Sequence, residues 1–127
     1  MKRLLAAAAV LGVFGGVLVG VPAVYAHHSF AMFDRTRTAT VIGTVREFQW
    51  TNPHAYIQVT VRQGNRDVEY SMEMGAPMYL YARGWRPRTL RPGMPVTVEY
   101  NPLRNGDPGG VVLEVKDANG NAVGTNR

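Results

Sequence analysis

Three histidines are the residues best suited to chemistry in this sequence, and two of them are adjacent. His27 and His28 lie in the stretch VYAHHSF, directly after an apolar N-terminal run. If cleavage makes His27 the first residue, its free amine and its imidazole supply two nitrogen ligands. A second imidazole then completes a T-shaped set of three nitrogens, a histidine brace, which suits Cu(II). His28 offers another arrangement, in which the amine, a deprotonated amide and the ring chelate Cu(II) together. Both arrangements favour copper over zinc, nickel or iron.

His54 is the candidate for the distant imidazole. In the run HAYIQVTVR it shares the outward face with Tyr56, so it is not predicted to be a core residue. Glu73 is expected diagonally across the neighbouring strand, at about 7–8 Å. From there its carboxylate would orient the ring without binding the metal itself. The structural alternative is a solvated histidine pair at a chain end and a His54 that only caps a turn.

The N-terminus has the three parts of a secretory signal. Lys2 and Arg3 precede an apolar run with glycines and a proline, and Ala26 is the last small residue before His27. The pattern predicts a signal peptide over 1–26, cleaved after Ala26, and a periplasmic or secreted protein. The alternative is an uncleaved membrane anchor, since the run is about long enough to cross a bilayer when tilted. After cleavage we do not expect an integral membrane protein.

The mature chain has the size and composition of one small domain. Removing Lys2 and Arg3 leaves 12 basic against 9 acidic residues, a net charge of only +3. The sequence has no cysteine. This excludes disulfides, thiol chemistry and cysteine-based zinc sites.

Two runs, HAYIQVTVR and DVEYSMEM, alternate strictly between apolar and polar residues, as strands with one buried face do. QGNR joins them, and Gly64 at its first central position favours a type II′ hairpin turn. Centring the turn on Gly64 and Asn65 pairs apolar residues with apolar ones and polar residues with polar ones. The predicted pairs are Ile57 with Met72, Val59 with Tyr70, Val61 with Val68, Arg62 with Asp67, and Tyr56 with Glu73.

Three further runs complete a predicted barrel. The first changes phase near Arg46 and Glu47, which indicates a bulge. The fourth begins at Pro95, at an edge or bulge. The inward residues predicted for the last two runs are Met94, Val96, Val98, Tyr100, Val111, Leu113 and Val115.

One short helix, PMYLYAR, is predicted between the third and fourth runs. Pro77 begins it, Gly84 ends it, and Trp85 folds back on its last turn. The order of three strands, a helix and two strands predicts an all-β, OB-fold-like five-stranded barrel. We therefore expect an N-terminal arm over 27–38, the barrel over 39–118 and a C-terminal tail over 119–127, which includes a last turn and a short edge piece.

Several short motifs resemble those of a known family. HHSF, WTNPHA, EMGAP, GW and LRPG are similar to motifs of a family of small exported bacterial proteins catalogued as a domain of unknown function. The resemblance covers His27 to about Gly110. It implies an exported small domain, and it implies no activity.

Other residues suggest weaker sites. Met72 and Met74 are predicted core residues, whereas Met32 and Met78 lie outside the sheet as candidate soft ligands. The segment YLYARGWRPRTLRPG interleaves arginines and aromatic residues, a pattern that also occurs on single-strand nucleic-acid surfaces. Export argues against nucleic acid. The segment is then either a solvated connection or a surface for an envelope protein, anionic lipid or polysaccharide. The sequence shows no nucleophile with a neighbouring base, no carboxylate pair in a cleft and no phosphate-binding loop. We therefore do not predict an enzyme.

These patterns lead to two functional hypotheses. The first is an exported binding module that holds copper through His27 with His28 or His54. The second is a metal-free module that contacts an envelope partner through the arginine and aromatic segment or through an exposed strand edge.

Overall fold

The computed structural model describes residues 30–124. The predicted signal peptide, its cleavage after Ala26, and both His27 and His28 lie outside the described residues. The elements are a 3-10 turn at Phe30–Met32, β1 at Ala39–Gln49, β2 at Tyr56–Gln63, β3 at Arg66–Glu73, α1 at Pro77–Ala82, β4 at Pro95–Pro102 and β5 at Gly109–Lys116.

The five strands close into a barrel in the order β1-β2-β3-β5-β4. β1 is antiparallel to both β2 and β4, and β3 runs parallel to β5. The predicted class, mostly β with one short helix and a five-stranded barrel, is confirmed. The core fills the barrel, and its fully buried members include Val45, Ile57, Val59, Met72, Leu80, Trp85, Leu90, Val98 and Val115.

The β2–β3 hairpin has the predicted register. All five predicted pairs face one another, from Tyr56 opposite Glu73 to Arg62 opposite Asp67. Gly64 has a φ of 59°, whereas Asn65 has a negative φ. A type I′ turn would need a positive φ at both central residues, so the observed angles fit the predicted type II′ turn.

A bulge in β1 moves its apolar residues back onto the core. The β1–β2 register shifts between Val45 and Glu47, where the phase change was predicted. Beyond the shift, Phe48 and Trp50 pack against the core, and the Phe48 ring lies 5.8 Å from the ring of Trp85. β4 begins at Pro95, the last residue of its ladder with β1.

The inward face of β5 differs from the prediction. The buried valines are Val112 and Val115, and neither Val111 nor Leu113 belongs to the core. The β4–β5 register shifts between Glu99 and Tyr100, so Val112 faces Tyr100 while Glu114 faces Glu99. Leu113 is therefore the extra residue of a bulge, which reverses the alternation.

The helix α1 ends in a Schellman motif. The Gly84 amide donates to the Tyr81 carbonyl at 3.2 Å, and the Trp85 amide donates to the Leu80 carbonyl at 3.0 Å. Gly84 has the positive φ of 86° that this motif requires. The predicted return of Trp85 is confirmed, because its side chain is fully buried in the core.

Both flanking segments attach to the barrel. Phe33 forms a bridge with Leu103, the Asp34 amide donates to the Pro102 carbonyl at 2.8 Å, and Phe33 is buried. At the other end, Ala122 bridges Lys116 after a turn, which matches the predicted last turn and edge piece. Within residues 30–124, no helix is long and apolar enough to cross a membrane.

Candidate functional site

The ring of His54 is held in one tautomer. Its Nδ1 lies 3.0 Å from the Met74 carbonyl oxygen and 3.3 Å from Glu73 Oε1. A carbonyl oxygen only accepts hydrogen bonds, so Nδ1 carries the proton that it donates. The lone pair of the neutral ring is then on Nε2, which has no bonding partner among the described residues. About a third of the His54 side chain is exposed. A metal-binding histidine has this arrangement, with one ring nitrogen donating to a carbonyl or carboxylate and the other free.

Glu73 lies at the diagonal position that the hairpin register predicts. It faces Tyr56 across the ladder, and its side chain is largely buried. Tyr56 donates a long hydrogen bond of 3.4 Å to Glu73 Oε2. Burial, and then the charge of Glu73, raise the pKa of Tyr56, so the phenol remains a donor at neutral pH. The carboxylate is thus positioned from two sides, with Tyr56 on one oxygen and His54 near the other.

The backbone around His54 explains how the ring reaches these groups. The ladder of β2 with β3 continues past its ends, because the Met74 amide donates to the Ala55 carbonyl at 2.8 Å. The Ala55 amide donates to Gly75 in turn, at 3.1 Å. We did not predict the Met74 carbonyl as a partner of His54. The predicted register, extended by one pair beyond Tyr56 and Glu73, places Met74 opposite Ala55. That extension would have predicted the contact between His54 and the Met74 carbonyl.

The N-terminal arm lies beside this cluster. Met32 and Phe33 share a cavity of about 160 Å³ with Tyr56 and Glu73. Its other lining residues are Ser71, Leu103 and Gly110. No pattern in the sequence indicates this contact, since Phe33 belongs to no periodic run. The arm therefore lies against the same outer face of the sheet that carries Glu73 and Tyr56.

Within residues 30–124, no group of three or more histidine, cysteine, aspartate or glutamate side chains could hold a metal ion. His54 and Glu73 are brought together, whereas His27 and His28 lie outside the described residues. The methionines divide as predicted. Met72 and Met74 are buried in the core, and Met78 is 69% exposed on α1.

The arginine and aromatic segment forms a second surface. Met78, Tyr79 and Tyr81 are all more than half exposed. Arg86 stacks over the Tyr81 ring at 3.6 Å and donates to the Tyr81 carbonyl at 2.9 Å. Trp85 was predicted beside these residues, but it belongs to the core.

The chain was compared with protein families, curated proteins and solved structures. A family model, described as Family of unknown function (DUF6152), matches residues 16–114 of the chain. No curated protein and no solved structure matches it.

Proposed function

The chain belongs to DUF6152, a family of unknown function, and on that premise we propose that it is an exported, periplasmic or secreted module that binds copper. In this proposal the signal peptide is removed after Ala26, and the new N-terminal His27 supplies its amine and its ring. His54 supplies the third nitrogen, or His28 chelates the metal with the amine in its place. Glu73 orients the ring of His54 and does not bind the metal.

The observation that carries the proposal is the contact of His54 Nδ1 with the Met74 carbonyl oxygen at 3.0 Å, beside the Glu73 carboxylate. A carbonyl oxygen only accepts hydrogen bonds, so Nδ1 donates the proton. Nε2 is therefore an acceptor with a fixed direction, and a metal that binds there does not have to order the ring first. Neutral imidazole and amine nitrogens are ligands that Cu(II) prefers among the divalent metals.

The position of the arm supports His54 as the distant ligand. Met32 already shares a cavity with Tyr56 and Glu73. His27 precedes Met32 by five residues, and five extended residues span at most about 18 Å. The N-terminal amine therefore lies within that distance of Met32.

We also assign the barrel to the OB-fold type. The strand order β1-β2-β3-β5-β4 and the placement of α1 between β3 and β4 support this assignment.

A comparison of two N-termini tests the copper site. One protein begins at His27 with a free amine, and in the other that amine is acetylated. We expect the first to bind one Cu(II) at least about tenfold more tightly in a competition assay against a chromogenic chelator, because acetylation removes the amine as a ligand in both arrangements. His54→Gln and His28→Ala in the first protein then separate the two ligand sets. Loss of affinity in His54→Gln alone supports the brace, and loss in His28→Ala alone supports the local chelate.

Equal Cu(II) affinity of the two N-termini would contradict the proposal. So would retention of the full affinity in both histidine variants. Circular dichroism of each variant provides the control for folding, since His54 contacts the backbone of Met74.

The second candidate function is a metal-free module for an envelope partner, favoured by the exposed Met78, Tyr79 and Tyr81. This second hypothesis also allows a partner to bind an exposed strand edge, and β3 has such an edge. Its ladder with β5 covers only Ser71 to Glu73, so Arg66–Tyr70 has no ladder partner on that side among the described strands. Tyr79→Ala with Tyr81→Ala separates the two functions, since it leaves copper binding unchanged and weakens a partner contact.

A further inference from the structure

A cavity of about 500 Å³ lies at the end of the barrel where the β2–β3 hairpin turns. It opens between the first half of β3 and the segment that connects β4 to β5. Tyr56 and Gln63 mark the two ends of β2, which are about 23 Å apart at 3.3 Å per residue. Tyr56 lies at the His54 end, and Gln63 lines this cavity. None of His54, Tyr56 and Glu73 lines this cavity, which shares only Leu103 with the cavity beside the N-terminal arm.

The shape of the cavity follows from the end of the β3–β5 ladder. The parallel pairing begins only at Ser71 opposite Gly109. The residues of β3 that precede Ser71 are therefore not paired with β5. The Ser71 amide still donates to the Pro108 carbonyl, at 3.2 Å. Within the connecting segment, Asn105 Nδ2 donates to the Asp107 carboxylate at 2.9 Å, and the Asp107 amide donates back to Asn105 at 3.0 Å. These bonds give the segment a defined course beside the opening.

The side chains around the cavity are rich in hydrogen-bond donors. Arg37 and Arg66 both line it, and neither guanidinium has a hydrogen bond or an ion pair among the described residues. The Tyr70 hydroxyl accepts from Gln63 Nε2 at 2.8 Å, which leaves its own proton free to donate. Asp107 is the one acidic residue of the lining, and Asn105 already donates to its carboxylate.

The two tyrosines also supply an apolar wall. The rings of Tyr70 and Tyr100 meet edge to face at 6.3 Å, and Tyr100 is almost completely buried. Burial raises the pKa of Tyr100, so its phenol stays protonated at neutral pH. Leu103 and Val68 extend the apolar lining.

We propose that this cavity binds a small organic oxyanion, a carboxylate or phosphate head on a planar apolar body. Arg37 and Arg66 bind the head, since guanidinium groups match carboxylate and phosphate geometry with paired donors. The Tyr70 and Tyr100 rings contact the body. The volume lies in the range of small-molecule sites.

The test is a titration of the ¹⁵N-labelled exported protein, followed by NMR. Benzoate and phenyl phosphate are the two probe anions, benzyl alcohol is the neutral counterpart, and inorganic phosphate lacks the apolar body. We expect saturable shifts of the amides in Arg66–Tyr70 and 103–109 with at least one probe anion, at a Kd of about 1 mM or below. Which of the two binds more tightly identifies the head group.

Matched variants connect the binding to the arginines. Arg37→Gln with Arg66→Gln should weaken binding at least about tenfold, and Arg88→Gln, an exposed arginine outside the cavity, should leave it unchanged. The dispersion of each spectrum reports that the variant is folded. The proposal fails if neither probe anion shifts these amides, if the arginine pair has no effect, or if benzyl alcohol or inorganic phosphate binds as tightly as the probe anions.

Discussion

The ring of His54 illustrates how neighbouring groups orient a single side chain. An exposed histidine samples several rotamers and both neutral tautomers, and a metal that binds it must select one of them. In this protein the Met74 carbonyl at 3.0 Å selects the Nδ1 proton, and the Glu73 carboxylate adds negative charge at 3.3 Å. Negative charge beside the donated proton favours the tautomer that has its lone pair on the other ring nitrogen. The ring is therefore oriented before any ligand binds.

This arrangement predicts an effect of Glu73 on copper affinity. Glu73→Gln keeps the size of the side chain and removes its charge, so we expect the Cu(II) affinity of the protein that begins at His27 to fall about 10–100-fold. Glu69→Gln is the matched control, because Glu69 lies on the same strand face and pairs with Arg46 at 2.6 Å. Competition titrations measure both variants. A similar loss in the two variants would mean that overall charge, and not the contact with His54, sets the affinity.

At the scale of the elements, α1 has little intrinsic stability of its own. It has six residues, and Ala76 before it gives no side-chain cap. An isolated helix of this length is not stable in water. Its ends compensate, because Pro77 begins it with a preset φ and the Schellman motif closes it. Burial of Leu80 and Trp85 in the barrel core supplies the remaining stability.

The cap makes Gly84 the critical residue of this element. Gly84→Ala places a Cβ at a φ of 86°, which L-residues rarely adopt. We expect it to lower the free energy of unfolding by about 1–2 kcal/mol. Gly75→Ala is the control, since Gly75 has no positive φ and its added Cβ meets only Leu80 Cδ2 at 4.0 Å. Urea titration at an unchanged m-value measures both. An equal effect at the two positions would contradict the role of the cap.

At the scale of the whole molecule, the sequence predicts those features that local rules determine. The β2–β3 register follows from strict alternation and from the glycine at Gly64, and both lie within one short stretch of chain. The bulge after Val45 shows in the sequence as a change of phase. The same register placed Glu73 diagonally from His54, which is why the two residues were identified together.

Features that depend on distant residues were not predictable in this way. The predicted inward face of β5 was wrong because Leu113 is the extra residue of a bulge, where the β4–β5 register shifts between Glu99 and Tyr100. Burial of Phe33 depends on Leu103, which lies 70 residues away in sequence. The cavity lined by Arg37 and Arg66 depends on the point at which β3 and β5 separate, and no periodicity marks that point.

The processing of the chain determines whether the whole molecule has the proposed copper site. Phe33 is anchored to the barrel through Leu103, and cleavage after Ala26 leaves six residues, 27–32, ahead of that anchor. We therefore expect the intact mass of protein purified from the cell envelope to correspond to residues 27–127, and to increase by one copper after Cu(II) is added under non-denaturing conditions. The copper-free mass fixes the N-terminus, and the added mass gives the stoichiometry. A protein that retains the leader, or that starts at another residue, places its amine elsewhere and lacks the T-shaped nitrogen set. If such a protein still gained one tightly bound copper, the amine of His27 would have no part in the site.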